Sequence, residues 1–293
     1  MRILAYISFL FLLSSCDLDH FMFNANNEIP AYELDDYTGE VDFVLDSEYD
    51  IPNDKVHLFK IPPKTDRNFD LWAVYIGDTA QIKTDTVIVY CHGNRDHMDF
   101  YWPRAKLMAN LGSKNRYGIF MMDYQGFGMS GGTATEENMI DDVNEGLAWL
   151  KSMGLTDSRT IIYGFSLGGT PAVYHAANNS ELNPSILILE NTFASTDVIV
   201  QDATGLAVPV EMFASAKHDV ARQIKSVFQP FLQFHGLDDS YLPIATHGNV
   251  INENYSGARN VYYQVEGAEH GNLPEAMTFE AYLDAMLEFI SGG

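Results

Sequence analysis

Ser166 is the residue of this chain best placed to attack a carbonyl carbon. It sits in Gly164-Phe165-Ser166-Leu167-Gly168-Gly169, between an apolar run at 160–163 and a stretch of small residues. A serine hydroxyl is a weak nucleophile at its free pKa, so it needs an adjacent base and an exposed position. A sharp strand-to-helix turn supplies the exposure by lifting the oxygen above the end of a sheet. The serine backbone is strained there, and Gly164 and Gly168 let strand and helix pass closely. The Leu167 amide then points toward the place where an oxyanion would develop. Taken alone the Gly-x-Ser-x-Gly pattern is a weak signal; a base and an acid must follow it in the right order.

The base must be a histidine, held in one tautomer by a carboxylate. Of the nine histidines, His270 follows an apolar stretch at 260–265 and lies in the small-residue loop Gly267-Ala268-Glu269-His270-Gly271-Asn272. Loops that leave the carboxyl ends of parallel strands are where catalytic groups gather in open α/β sheets. The loop after the preceding strand, Phe234-His235-Gly236-Leu237-Asp238-Asp239-Ser240-Tyr241-Leu242-Pro243, offers two acids, and either could serve. Serine, then aspartate, then histidine is one of three known chain orders for such a triad.

The elements that must position these groups alternate along the chain. Strands are expected at 55–61 and 70–76, as an antiparallel pair at a sheet edge across the turn-rich Pro62-Pro63-Lys64-Thr65-Asp66. A continuous apolar strand of the fully buried type follows at 86–91, and further strands at 117–123, 160–163, 185–189, 230–234 and 260–265. Helices are expected at 101–111 and from a capping box at Thr133-Ala134-Thr135-Glu136, the second burying Ile140, Val143, Leu147 and Leu150 and stopping at Gly154. The last helix runs over about 275–290, with Met277, Tyr282, Met286, Phe289 and Ile290 inward. Such alternation implies a mostly parallel sheet of about eight strands covered on both faces. The one long excursion, 191–229, with a helical pattern at 211–224, is the place for a short cap.

Composition narrows the partners. The chain has 293 residues and a formal net charge of −23. That acidity argues against nucleic acid, whose phosphates need Lys and Arg, and is read as a solvated, self-repelling surface. Residues 1–15 have the layout of an export signal: Arg2, an apolar run from Ile3 to Leu13, then Ser14-Ser15 before Cys16. Leu13-Ser14-Ser15-Cys16 resembles a bacterial lipobox, which implies that Cys16 is lipidated and begins the mature chain. Residues 16–40 are then a tether, 41–293 the folded domain, and the location the bacterial cell envelope, lipid-anchored to a membrane. Cys91 lies in an apolar strand and is read as a buried small residue, so no disulfide is expected.

From about residue 56 to 290 the chain resembles the α/β-hydrolase superfamily, in particular its serine-aminopeptidase and lysophospholipase-like branch. The resemblance rests on His92-Gly93-Asn94, on Asp123-Tyr124-Gln125-Gly126-Phe127-Gly128-Met129-Ser130, on the Ser166 segment, and on His235-Gly236-Leu237-Asp238-Asp239 with Pro243 before Gly267-Ala268-Glu269-His270. It implies an α/β-hydrolase fold and selects Asp239 over Asp238 as the acid, three residues after His-Gly and four before the proline. Glu190, after the earlier strand, is a further alternative acid. The resemblance also implies an oxyanion hole from the amides of Leu167 and Asn94, or one residue on at Arg95.

Other residues have plainer readings. His92 is read as holding the oxyanion loop, His97 as a solvent-facing loop residue, and Asp123 as a structural acid pinning the following turn. The remaining histidines do not cluster at metal-ligand spacing, so no metal is expected. Gly126-Phe127-Gly128-Met129-Ser130-Gly131 matches a dinucleotide-binding pattern, but the next helix opens too late to receive a pyrophosphate, so no cofactor is expected. Nearby aromatics (Phe100, Tyr101, Trp102, Phe165, Phe193, Phe213) suggest an apolar acyl pocket. The expected activity is ester hydrolysis by acyl transfer, as a carboxylesterase or thioesterase of small to medium acyl groups. The alternatives are an aminopeptidase-like peptidase, a lysophospholipase, or a non-catalytic binding protein of the same fold.

Overall fold

A computed structural model describes residues 23–62, 67–204 and 218–292. The signal and lipidation site expected at 1–16, the turn from residue 63, Phe213 and the first half of the helical pattern at 211–224 lie outside the described residues.

The described residues build one eight-stranded sheet. Its strands are β1 (Val56–Ile61), β2 (Leu71–Ile76), β3 (Val87–Cys91), β4 (Gly118–Met122), β5 (Thr160–Phe165), β6 (Ile186–Glu190), β7 (Phe231–Gly236) and β8 (Asn260–Val265), in the spatial order β1-β2-β4-β3-β5-β6-β7-β8. β1 pairs antiparallel with β2, and β2 antiparallel with β4. Every later pairing, from β3/β4 to β7/β8, is parallel. This is the α/β-hydrolase fold. The central strands are continuous apolar runs because both of their faces are buried. In β3, Val87, Val89 and Cys91 join one core while Ile88 and Tyr90 join the other.

Helices cover both faces: α1 (Met98–Ala109), α2 (Glu136–Ser152), α3 (Gly169–Ala177), α4 (Thr196–Thr204), α5 (Val220–Gln223), α6 (Gly248–Asn254), α7 (Leu273–Met277) and α8 (Phe279–Ile290). Buried residues of α2 and α3 (Val143, Leu147, Leu150, Ala172, Val173) form one core layer, and those of α1 and α8 the other. Cys91 is a free, buried thiol.

Three expectations change. The cap of α2 is Thr135, whose hydroxyl accepts from the Asn138 amide at 3.1 Å, and not Thr133. Glu136 is then the first residue of the helix and not the third after its cap, so it does not close the expected box; its carboxylate accepts the His218 amide at 3.0 Å. The terminal helix is two helices, broken at Thr278, whose φ is +68° and whose hydroxyl caps α8 by accepting from the Ala281 amide. Of its expected inward positions Tyr282, Met286 and Phe289 are buried, while Met277 and Ile290 are only half-buried, as is Ile140 in α2.

The third change concerns the expected tether. Its described part, from Phe23 on, is packed against the domain. Phe23 joins the core, Ala25 forms a parallel bridge with Asp96, and the Asp99 carboxylate accepts the Glu33 and Leu34 amides at 2.9 Å each. Asp35 accepts from the Trp102 indole at 2.9 Å, so Trp102 is turned away from the serine.

Candidate active site

β5 ends at Phe165, one turn of 3-10 helix covers Ser166–Gly168, and α3 follows. Ser166 has φ +51°, in the left-handed region that a side chain adopts only under constraint. The flanking glycines explain how the turn closes. A Cβ on Gly164 would lie 2.7 Å from the Gly168 carbonyl oxygen, and one on Gly168 would run into the Cys91 carbonyl. The strand, the turn and the neighbouring strand end meet at backbone contact.

At this turn the fold brings Ser166, His270 and Asp239 together. His270 Nε2 lies 3.0 Å from Ser166 Oγ, and His270 Nδ1 lies 2.8 Å from Asp239 Oδ2. The other oxygen, Asp239 Oδ1, accepts the Tyr241 amide at 3.0 Å and the Leu242 amide at 2.8 Å. Burial by itself would raise the Asp239 pKa. The hydrogen bond and charge of His270, then the Leu242 amide and His235, outweigh it and hold the carboxyl below its ordinary value. An ionised Asp239 accepts the Nδ1 proton, which leaves Nε2 to accept the serine hydroxyl.

The competing acids are placed elsewhere. Asp238 is exposed, because its amide donates to the Ala268 carbonyl at 3.1 Å and turns its side chain outward. Glu190 is fully buried in a separate network. It accepts from the hydroxyls of Tyr163 and of Tyr282 (2.7 Å) and pairs with Arg104 at 3.0 Å.

Asn94 and Leu167 both line the space around Ser166. The alternative one residue on is occupied, since the Arg95 amide donates to the Tyr101 hydroxyl. His92 is buried between the rings of Tyr101 and Tyr124, with centroids at 4.8 and 4.3 Å. Its Nδ1 faces the Gly93 carbonyl at 2.9 Å and its Nε2 faces Asp123 at 3.1 Å, so it braces the loop that carries Asn94. Asp123 reaches the following turn through Tyr32: Tyr32 donates to the carboxylate at 2.6 Å and accepts the Met129 amide at 2.9 Å. His97 is not solvent-facing; it is buried and caps α1.

The cleft beside the triad has a volume of ≈ 370 Å³ and is walled by Phe100, Tyr101, Phe165 and Tyr241, with Arg95, Asp42 and Asn24 as its polar lining. On the other side of Ser166, Leu167, Phe193, Ile199 and Val200 form an apolar lobe. Among the described residues no group of three or more His, Cys, Asp or Glu could hold a metal ion. Sequence reasoning missed Asn24, which stands in both lobes, and Tyr241, whose ring meets that of His270 at 5.1 Å. Both are contacts between distant segments, which no local pattern signals.

A family model described as serine aminopeptidase, S33, matches residues 82–199, a span that includes Ser166 and ends before Asp239 and His270. The chain is 28% identical over 158 residues to the uncharacterized protein YfhR of Escherichia coli O157:H7, over 53% of each protein. It is 27% identical over 205 residues to mouse alpha/beta hydrolase domain-containing protein 17C, over 70% of this chain and 59% of that protein. The chain thus spans little more than half the length of these two relatives. Among solved structures, the Pyrococcus furiosus esterase Pf2001 superposes with a TM-score of 0.65 at 17% identity, over 92% of this chain and 96% of the esterase. The chain has the α/β-hydrolase fold, and part of its sequence is similar to the serine aminopeptidase family and to proteins described as alpha/beta hydrolases.

Proposed function

We propose that this protein is a serine hydrolase acting by acyl transfer, most suited to esters or thioesters of small to medium acyl groups. The observation that carries the reading is the unbroken chain from Ser166 Oγ to His270 Nε2 and from His270 Nδ1 to Asp239, at 3.0 and 2.8 Å. Ser166 Oγ attacks the acyl carbon as its proton passes to Nε2. The resulting imidazolium is stabilised by Asp239 and returns the proton to the leaving group. Water, deprotonated by the same nitrogen, then releases the acid and restores the serine. The amides of Leu167 and Asn94 are assigned to the oxyanion. The apolar lobe of Leu167, Phe193, Ile199 and Val200 takes the acyl chain, and the more polar cleft takes the leaving group. Lipidation at Cys16, with export to the cell envelope, belongs to the same reading and is supported by Leu13-Ser14-Ser15-Cys16 alone.

Labelling with a fluorophosphonate, followed by turnover of chromogenic acyl esters of rising chain length beside aminoacyl amides, tests the proposal. Ser166 should be labelled and short esters cleaved, and Ser166→Ala should abolish both, a loss on the order of a million-fold in turnover. A folded protein whose Ser166 never reacts would favour a binding protein instead. Faster cleavage of amides than esters would move the activity to a peptidase.

A further inference from the structure

The base and the acid sit on two separate loops, after β8 and after β7, and something must hold those loops in register. One candidate stands between them. Asn191, the first residue after β6, is fully buried and has φ +41°. Its Nδ2 donates to the His270 carbonyl at 2.7 Å and to the Glu269 carbonyl at 3.1 Å. Its Oδ1 accepts the amide of Gly236, the last residue of β7, at 2.8 Å. Its own amide donates to the Phe234 carbonyl at 3.1 Å. One side chain therefore spends both amide hydrogens on the base loop and its oxygen on the root of the acid loop. The two loops also touch directly: a Cβ on Gly236 would run into the Ala268 carbonyl, so little slack exists between them.

We propose that Asn191 is a positioning residue that fixes His270 relative to Asp239, a role that rests on the triad reading above. The side chain reaches the backbone of His270 and not its ring, so it acts on where the imidazole sits and not on the proton transfer itself. Its amide is the chemistry required, since it must donate to two carbonyls and accept from one N–H. Aspartate, nearly the same shape, can accept from Gly236 but offers nothing to the carbonyls of residues 269 and 270. Glycine supplies the positive φ without strain and removes the amide altogether.

The test compares wild type, Asn191→Gly and Asn191→Asp in steady-state ester hydrolysis and in the rate of fluorophosphonate labelling of Ser166. Misplacement of reacting groups by an ångström costs up to about a hundredfold in rate. Both variants should lose at least about tenfold in kcat and in labelling rate, with KM within about twofold, because neither changes the binding lobes. Asn191→Gly at wild-type kcat would overturn the proposal and leave Asn191 with a backbone role only. A loss confined to KM would overturn it as well. Unfolding of both variants, read by circular dichroism, would also overturn it, since Asn191 would then hold the fold and not the site. If wild-type Ser166 itself fails to label, the triad reading falls first.

Discussion

The Arg95 amide donates to the Tyr101 hydroxyl over 2.9 Å. This single bond consumes the donor next in line after Asn94 and fixes the curvature of the loop facing Ser166. Tyr101 is itself held, since its ring stacks on His92 and meets Phe165 edge-on at 6.1 Å. Tyr101→Phe keeps the ring and removes only the hydroxyl. One hydrogen bond is worth about 1 kcal/mol, so kcat should fall about fivefold with little change in KM. Steady-state kinetics on a short chromogenic ester check this, and an unchanged kcat would show that the loop holds its shape without the bond.

Asp239→Asn should leave the fold intact and lower kcat by about ten-thousandfold, because an amide can no longer hold the imidazole in the Nδ1–H form or stabilise its charge. The same carboxyl carries a pH-dependent share of stability. Its folded pKa lies below the ordinary value, the pull of His270 outweighing the cost of burial. Its contribution is therefore complete above the unfolded value of about 3.9 and is lost as pH falls through the lower folded one. Urea midpoints measured from pH 5 to pH 2.5 should drop more steeply for wild type than for Asp239→Asn. Parallel curves would contradict this.

A different acid limb comes from His175. Burial pushes its pKa down to about 4, only partly opposed by the bond from Nε2 to the Ile140 carbonyl. The folded protein keeps this ring neutral where the unfolded chain would protonate it near about 6.5. Its stabilisation is complete above that value and fades as pH falls from there toward about 4, by on the order of 3 kcal/mol. His175→Gln should flatten the decline in melting temperature over that window, and a variant as steep as wild type would exclude His175 as the cause.

Ser166 offers a reversal of the usual ranking of alanine and glycine. At φ +51° a Cβ is a liability, so Ser166→Gly should be more stable than Ser166→Ala by about 1 kcal/mol. In a protein of this size that is a difference in melting temperature of about 1.5–2 °C. Calorimetry on the two inactive variants decides it; equal values would mean that the turn relaxes once the hydroxyl is gone.

Much of the sheet is legible in the sequence, because a strand buried on both faces is written as an unbroken apolar run. β3 is the example, with every residue from Val87 to Cys91 buried; β8, at the sheet edge, is mostly exposed or half-buried and yet spans the expected 260–265. Other elements exist only through contacts. α6 is built from Gly248, three asparagines and little else that favours a helix. It forms because Ile251 is buried and because Gly248 lets it approach the His235 and Tyr262 side chains. The stretch after residue 22 reads as solvated because it is rich in Asn and Asp, yet those side chains are spent on the domain, as with Asp35 on Trp102 and Asn26 on Asp96. At the site, the choice of Asp239 over Asp238 came from a family resemblance. In the fold it follows from backbone bonds of Leu237 to Val265 and of Asp238 to Ala268, which turn the next side chain inward. Asn191 gives no local sign at all, since its partners come from two other loops.

The bridge between Ala25 and Asp96 ties the front of the chain to the loop holding Asn94, whose side-chain oxygen also accepts the Asn24 amide at 2.8 Å. The way this segment is held therefore bears on the rim of the reaction chamber as well as on the core that Phe23 enters.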